Sequence, residues 1–259
     1  MSSPARLPGR RPLIIAHRGA SQVCRENTLP AFERALEMGV DGVELDVHAT
    51  RDGVLVVHHD PVLTIGHGDG VEAAPIAALS FEQLAIHRLQ SGDRVPTLHE
   101  VFALVGTRAM LFVEVKAPHV EALVAALLSA YPDVRSAVHA FDHRIPVGVR
   151  ALRPTTPIGL LSASYPLDVR AVLSGTDASA LWQHAELIDE ALIAAAHEAG
   201  VQLIAWTVNS APHARQLAAW GVDGMCTDVP DEISTALTTA GATRGAANSS
   251  ATLPPPVRP

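Results

Sequence analysis

The feature that most constrains the fold is a recurring joint, in which a helix-like stretch ends at glycine and a short apolar run follows. It occurs at 35–45, 195–204 and 217–227, and Gly39-Val40-Asp41-Gly42 returns as Gly221-Val222-Asp223-Gly224. Glycine just past a helix takes up the left-handed conformation without steric cost, so each copy marks the passage from a helix into the next strand. The repeated unit is αβ. Apolar, β-branched runs predict strands at 12–16, 42–47, 110–115, 136–140, 157–161, 180–182, 202–207 and 223–227. Helical patterns fall between them at 29–38, 98–105, 120–129, 189–199 and 211–220. This βα order predicts an α/β fold, a (β/α)8 TIM barrel. The competing architecture is a doubly wound open sheet, but no G-x-G-x-x-G follows a strand to support it.

With 259 residues, 48% of them hydrophobic, the chain is long enough to bury one large core, so a single domain is expected at 12–240. An extension at 1–11 precedes it. About fifty residues separate His48 from the helix beginning near Leu98, which predicts an insertion after the second strand, at about 61–96, containing Gly66-His67-Gly68-Asp69-Gly70. Beyond 240 the composition turns to Ala, Ser, Asn and Pro, and a disordered tail is expected at 241–259.

Lys and Arg number 19 against 27 Asp and Glu, a net charge of -8 that repels a nucleic-acid backbone but leaves room for a local pocket holding one phosphate. The first residues contain arginines but no apolar signal core, and no window approaches about 18 uninterrupted apolar residues. Two cysteines, Cys24 and Cys226, match no zinc spacing and are too few for a disulfide framework. A soluble cytoplasmic protein without membrane insertion is expected.

In a barrel, function gathers where strands end. The first strand runs into His17-Arg18-Gly19, the second carries Glu44 and Asp46, the third ends in Glu114-Val115-Lys116, and the seventh in Trp206-Thr207-Val208-Asn209. Side chains two apart on a strand share a face, so Glu44 projects with Asp46 and Glu114 with Lys116. Three carboxylates in one mouth either form an ion-pair network with Arg18 and Lys116 or bind a cation. Oxygen ligands without cysteine suit Mg²⁺ or Ca²⁺. Arg18 and Lys116 suit an anionic substrate, although Arg18 serves equally to neutralise Glu44. Histidines near an ordinary pKa can take and give protons at neutral pH; His17 follows the first strand directly, and a second pair, His58-His59, follows the run Val54 to Val57 and precedes Asp60-Pro61. His48 is either an extra ligand or a loop residue. His87, His119, His197 and His213 are expected on helix surfaces, and Asn27 or Thr28 is expected to cap the helix that follows. Trp206 would face inward, against substrate or in the core. The absence of a G-x-S-x-G elbow and of H-E-x-x-H removes serine-hydrolase and zincin chemistry.

In chain order, His17-Arg18-Gly19, Glu26-Asn27-Thr28, Glu44-Leu45-Asp46-Val47, Thr50-Arg51-Asp52-Gly53, His59-Asp60-Pro61, Pro96-Thr97-Leu98, Glu114-Val115-Lys116, Trp206-Thr207-Val208-Asn209 and Gly221-Val222-Asp223-Gly224 resemble the glycerophosphodiester phosphodiesterase family, over about residues 14–230. The resemblance implies that Glu44, Asp46 and Glu114 hold a divalent cation, that His17 and His59 are the catalytic pair, and that Arg18 and Lys116 contact phosphate, with Trp206 at the substrate. It implies attack by the glycerol 2-hydroxyl on its own phosphate, through a cyclic phosphodiester, to give sn-glycerol 3-phosphate and an alcohol. The alternative is a lipid phosphodiesterase, of lysophospholipase D or phospholipase C type, on the same scaffold. Arg25, where proline is usual, and the stretch Leu63 to His67 depart from the family pattern and bear on the leaving alcohol.

Overall fold

The computed structural model describes residues 11–65 and 72–248. The barrel strands are β1 (Leu13–His17), β2 (Gly42–Ala49), β6 (Met110–Val115), β7 (Ser136–Ala140), β8 (Ile158–Ser162), β9 (Ala180–His184), β10 (Gln202–Trp206) and β11 (Gly224–Thr227). All pair in parallel, and β1 pairs with both β11 and β2, which closes the sheet. The predicted eight-stranded barrel is what forms.

Helices α1 (Leu29–Glu37), α3 (Leu98–Val105), α4 (Glu121–Ala130), α7 (Glu190–Glu198) and α8 (Ala211–Trp220) lie where the periodicity placed them, within a residue at either end. Two further helices, α5 (Arg144–Leu152) and α6 (Val169–Leu173), had no clear pattern: Pro146 and Gly148 interrupt the first, and the second is only five residues long. The last helix, α9 (Pro230–Asn248), runs past the boundary expected at 240. The rest of that predicted tail, residues 1–10 of the extension expected at 1–11, and the Gly66 to Gly70 run lie outside the described residues.

The repeated joint does the same work in each copy. Gly39, Gly200 and Gly221 have φ of 73°, 81° and 100°, as a left-handed helix stop requires. Asp41 then accepts the amide of Ile14 at 2.8 Å, and Asp223 accepts that of Leu203 at 2.8 Å, so each aspartate ties the start of a neighbouring strand to its own. Asp223 also pairs with His197 at 2.9 Å, so this histidine, expected to be an idle surface residue, is anchored.

Side chains alternate between two cores. Val43, Leu45, Val47, Leu111, Val113, Leu203 and Met225 face the helices in the larger one. Ile15, Phe112, Ala137, Leu161, Trp182, Ile204 and Cys226 fill the barrel interior. Space for the interior rings comes from glycine: a Cβ on Gly42 would come within 2.5 Å of Phe112, and one on Gly159 within 2.7 Å of Trp182.

The insertion has its own framework. Strand β2 turns at Thr50 to Gly53, where Gly53 has φ 81° and the Thr50 hydroxyl donates to Asp52 at 2.7 Å, and returns as antiparallel β3 (Leu55–Val57). A hairpin of β4 (Val62–Ile65) and β5 (Glu72–Pro75) and the short helix α2 (Phe81–Ala85) follow. Val56, Leu63, Ile76, Leu84, Leu89 and Val95 make a small separate core beneath them. Leu63, in a stretch that departs from the family pattern, is thus a core residue of the insertion.

Candidate active site

The return strand brings two distant pieces of sequence together. Val57 pairs with Val47, so the chain leaves β3 beside the mouth, and the His58 amide donates to the Asp46 carbonyl at 3.0 Å. His48, which continues the inward face of β2, bonds through Nε2 to the His59 carbonyl at 3.0 Å. It fixes the loop that carries His59. His59 Nδ1 lies 2.8 Å from Asp60 Oδ1.

At the end of β1 the chain turns sharply. Arg18 has φ 57°, a conformation costly to a residue with a Cβ, and its amide donates to Glu44 Oε2 at 3.2 Å. Gly19 follows with φ 84°, and a Cβ there would fall 2.7 Å from the Ala31 carbonyl carbon, so only glycine lets α1 approach this turn. Thr28 caps α1, as expected, accepting from the Ala31 amide at 3.4 Å. Asn27 brackets Asp46: its Nδ2 donates to Asp46 Oδ2 at 2.8 Å and its Oδ1 accepts from the Asp46 amide at 3.3 Å.

Asp46 sits between cations. Arg18 Nε is 3.0 Å from Oδ2 and Lys116 Nζ 3.2 Å from Oδ1, ion pairs set off the hydrogen-bonding line. Burial would raise the Asp46 pKa, but Lys116, Arg18 and the Asn27 hydrogen bond together hold it below the usual carboxylate range. Arg18 also reaches Glu26 at 3.1 Å, and Lys116 reaches Glu114 at 2.8 Å. An ion-pair network thus surrounds Asp46.

Glu44 differs. It is buried, its Oε1 has no hydrogen-bond partner, and desolvation with the nearby Asp46 and Glu114 charges pushes its pKa well up. Glu114 is raised for the same reasons, burial first and then Asp46. Among the described residues, the group able to share one ion is Glu44, Glu114 and His139, whose ligand atoms all lie within 4.8 Å of one another. His139 pairs in register with Glu114 on the neighbouring strand and stacks on Trp182, ring centroids 4.2 Å apart and planes 3° from parallel. Burial lowers its imidazole to about 3, so it is neutral with a lone pair to offer. A buried carboxylate oxygen without a donor, beside a second raised carboxylate and a neutral imidazole, fits a divalent cation.

His139 was overlooked in sequence. Its signal was its place in a predicted strand, two residues beyond inward-facing Ala137 and level with Glu114. Asp228, just past β11, was overlooked too: its Oδ1 lies 2.7 Å from His17 Nδ1. Burial opposes its ionisation, yet the hydrogen bond and charge of His17 bring its pKa down to about 2. His17 Nε2 stands 4.0 Å from Glu44 Oε2. Trp206, at the end of β10, packs against the barrel-interior cluster, edge-on to Phe141 at 5.4 Å and to His184 at 5.3 Å, and its indole nitrogen is buried without a partner.

His17, Arg18, Glu44, Asp46, Glu114 and Lys116 therefore converge, and the loop that carries His59 is tied to the mouth through the His58 amide on the Asp46 carbonyl. The model of the glycerophosphoryl diester phosphodiesterase family matches residues 17–232, a span that begins on His17. The chain belongs to this family. The activity that goes with membership is hydrolysis of glycerophosphodiesters. Over 238 residues the chain is 33% identical to a glycerophosphodiester phosphodiesterase of Caldanaerobacter subterraneus, covering 85% of this chain and 96% of that protein. A Bacillus subtilis glycerophosphodiester phosphodiesterase is 31% identical, covering 85% of each. In three dimensions the chain is similar to an Oleispira antarctica phosphodiesterase in complex with the product sn-glycerol-3-phosphate, with a TM-score of 0.81 and 26% identity, over 88% of this chain and 97% of that one. No helix among the described residues is long and apolar enough to cross a membrane.

Proposed function

We propose that this enzyme hydrolyses small glycerophosphodiesters to sn-glycerol 3-phosphate and an alcohol, using a divalent cation and the histidines His17 and His59. The observation that carries this reading is the unpartnered, buried Glu44 oxygen beside Glu114 and His139, with Arg18, Lys116 and His17 around it. Glu44 and Glu114 would hold the ion with His139, and Asp46 would stand behind them, balancing Arg18 and Lys116. Two carboxylates without a thiolate favour Mg²⁺ or Ca²⁺, with His139 adding one nitrogen donor. When bound, the cation supplies positive charge to stabilise the phosphoryl oxygens.

The chain's own groups do the rest. Arg18 and Lys116 orient the phosphate, and Trp206 offers a face to the glycerol. One histidine takes the proton of the glycerol 2-hydroxyl, whose oxygen attacks phosphorus; the other returns a proton to the departing alkoxide. Water then opens the cyclic diester. The product named for the Oleispira relative supports the outcome, and the unpaired Cys24 and Cys226 fit a reducing, cytoplasmic setting.

Phosphorus NMR of glycerophosphocholine turnover tests the bond cut. Glycerol 3-phosphate with free choline is expected, whereas phosphocholine would mark the phospholipase C-type alternative. The cation leaves a second signature. A carboxyl whose folded pKa is raised above the ordinary 4.5 destabilises the folded protein as pH rises past that value, because the unfolded chain ionises more readily. Cation binding offsets this cost and itself requires ionised ligands. The increase in melting temperature on adding Mg²⁺ or Ca²⁺ should be larger at about pH 8 than at about pH 5. An equal increase at both would count against Glu44 and Glu114 as ligands.

A further inference from the structure

The Asp228 carboxylate is held from several sides. Oδ1 accepts the Ser21 hydroxyl at 3.0 Å as well as facing His17 Nδ1 at 2.7 Å, and Oδ2 accepts Asn209 Nδ2 at 2.6 Å. The Asn209 side-chain oxygen accepts in turn from the Asp228 amide at 2.9 Å and from the Thr227 hydroxyl at 3.1 Å. The strand register makes this possible: Ala16 pairs with Thr227, so the next residues, His17 and Asp228, emerge side by side. Asn209, the last residue of the Trp206 to Asn209 motif, fixes the plane of the carboxylate.

We propose that Asp228 is a positioning residue for the reaction, which fixes the ring and tautomer of His17 so that Nε2 is the nitrogen that exchanges a proton with substrate. An ionised carboxylate only accepts hydrogen bonds, so the Nδ1 it faces must carry hydrogen. Neutral imidazole then has its lone pair on Nε2, the nitrogen that faces Glu44 and the site at 4.0 Å. The pair is sheltered: the Asp228 side chain is 29% exposed, against 68% for Asp60, which makes the equivalent contact to His59. Water competes less with the first contact than with the second. Asp228 thus belongs to the machinery through His17 and touches neither the diester nor the cation. The Ser21 and Asn209 contacts act one step further out, on the carboxylate itself.

The inference rests on the glycerophosphodiesterase reading for its kinetic consequence, but not for its spectroscopic one. In the ¹⁵N-labelled full-length protein, the His17 ring signals, assigned by their loss in His17→Ala, should show the neutral ring protonated on Nδ1 with Nε2 bare. In Asp228→Asn the side chain keeps its shape, but its amide can donate to Nδ1 and favours the opposite tautomer. With glycerophosphocholine and Mg²⁺ this variant should lose about 100-fold or more in kcat with KM little changed. A wild-type His17 protonated on Nε2 would overturn the proposal even if the variant does not fold, and so would an Asp228→Asn variant with kcat within about tenfold of wild type. If the wild-type enzyme cuts no glycerophosphodiester, the functional reading fails, while the tautomer measurement still decides the role of Asp228.

Discussion

Alanine at His17 or at His59 should lower kcat by about 10²- to 10⁴-fold, the range that a positioned proton-transfer group contributes. KM should change far less, because on the proposed reading the phosphate would be gripped by Arg18 and Lys116, which pair with Asp46 and Glu114 rather than with the histidines. The double variant should fall little further than either single one, since groups that serve one proton relay do not act additively. Steady-state kinetics on one diester measures all three proteins. Additive losses would show that the two histidines contribute independently to one transition state rather than as a unit.

Asp46→Ala should cost about 3 kcal/mol or more of folding stability, the usual penalty for breaking a buried charge pair from one side. The reason is local. Asp46 is buried with Arg18 Nε at 3.0 Å and Lys116 Nζ at 3.2 Å, and its removal leaves two mostly buried cations facing each other across the mouth. Asn27 would lose its acceptor as well, and with it part of what holds the loop before α1. The loss should appear as a lower urea midpoint at unchanged slope. Asp46→Asn, which keeps the shape but not the charge, should show most of the same loss; full stability in both variants would mean that Arg18 and Lys116 find other partners.

The barrel was legible because its evidence is repetitive. Glycine-terminated helices, inward and outward alternation along each strand and the returning aspartates at 41 and 223 all encode local geometry, and local geometry is what periodicity reports. The hairpin after β2 was less so: Thr50 to Gly53 stood out as a motif, but only the antiparallel register reveals that it folds His59 back over Asp46. Residues without a periodic or motif signature were lost. His139 sits among alanines and valines in a strand whose neighbours do not mark it, and its worth comes from Glu114 on the next strand. Asp228 is 211 residues from its partner, and no local pattern carries a contact of that span. Asp46 shows the reverse case, a carboxylate whose position was plain but whose closest partners, two cations and an amide, are set by tertiary packing. Alanine-rich sequence past 240 reads as tail or as helix with equal ease, and α9 continues through it to Asn248.

The most direct test of the account is the release of glycerol 3-phosphate from a panel of glycerophosphodiesters, measured with Mg²⁺ or Ca²⁺, with a chelator in excess, and with His17→Ala. Cation-dependent release by the wild-type protein, lost on chelation and in the variant, is the predicted result. Release that survives both the chelator and the loss of His17 would contradict it.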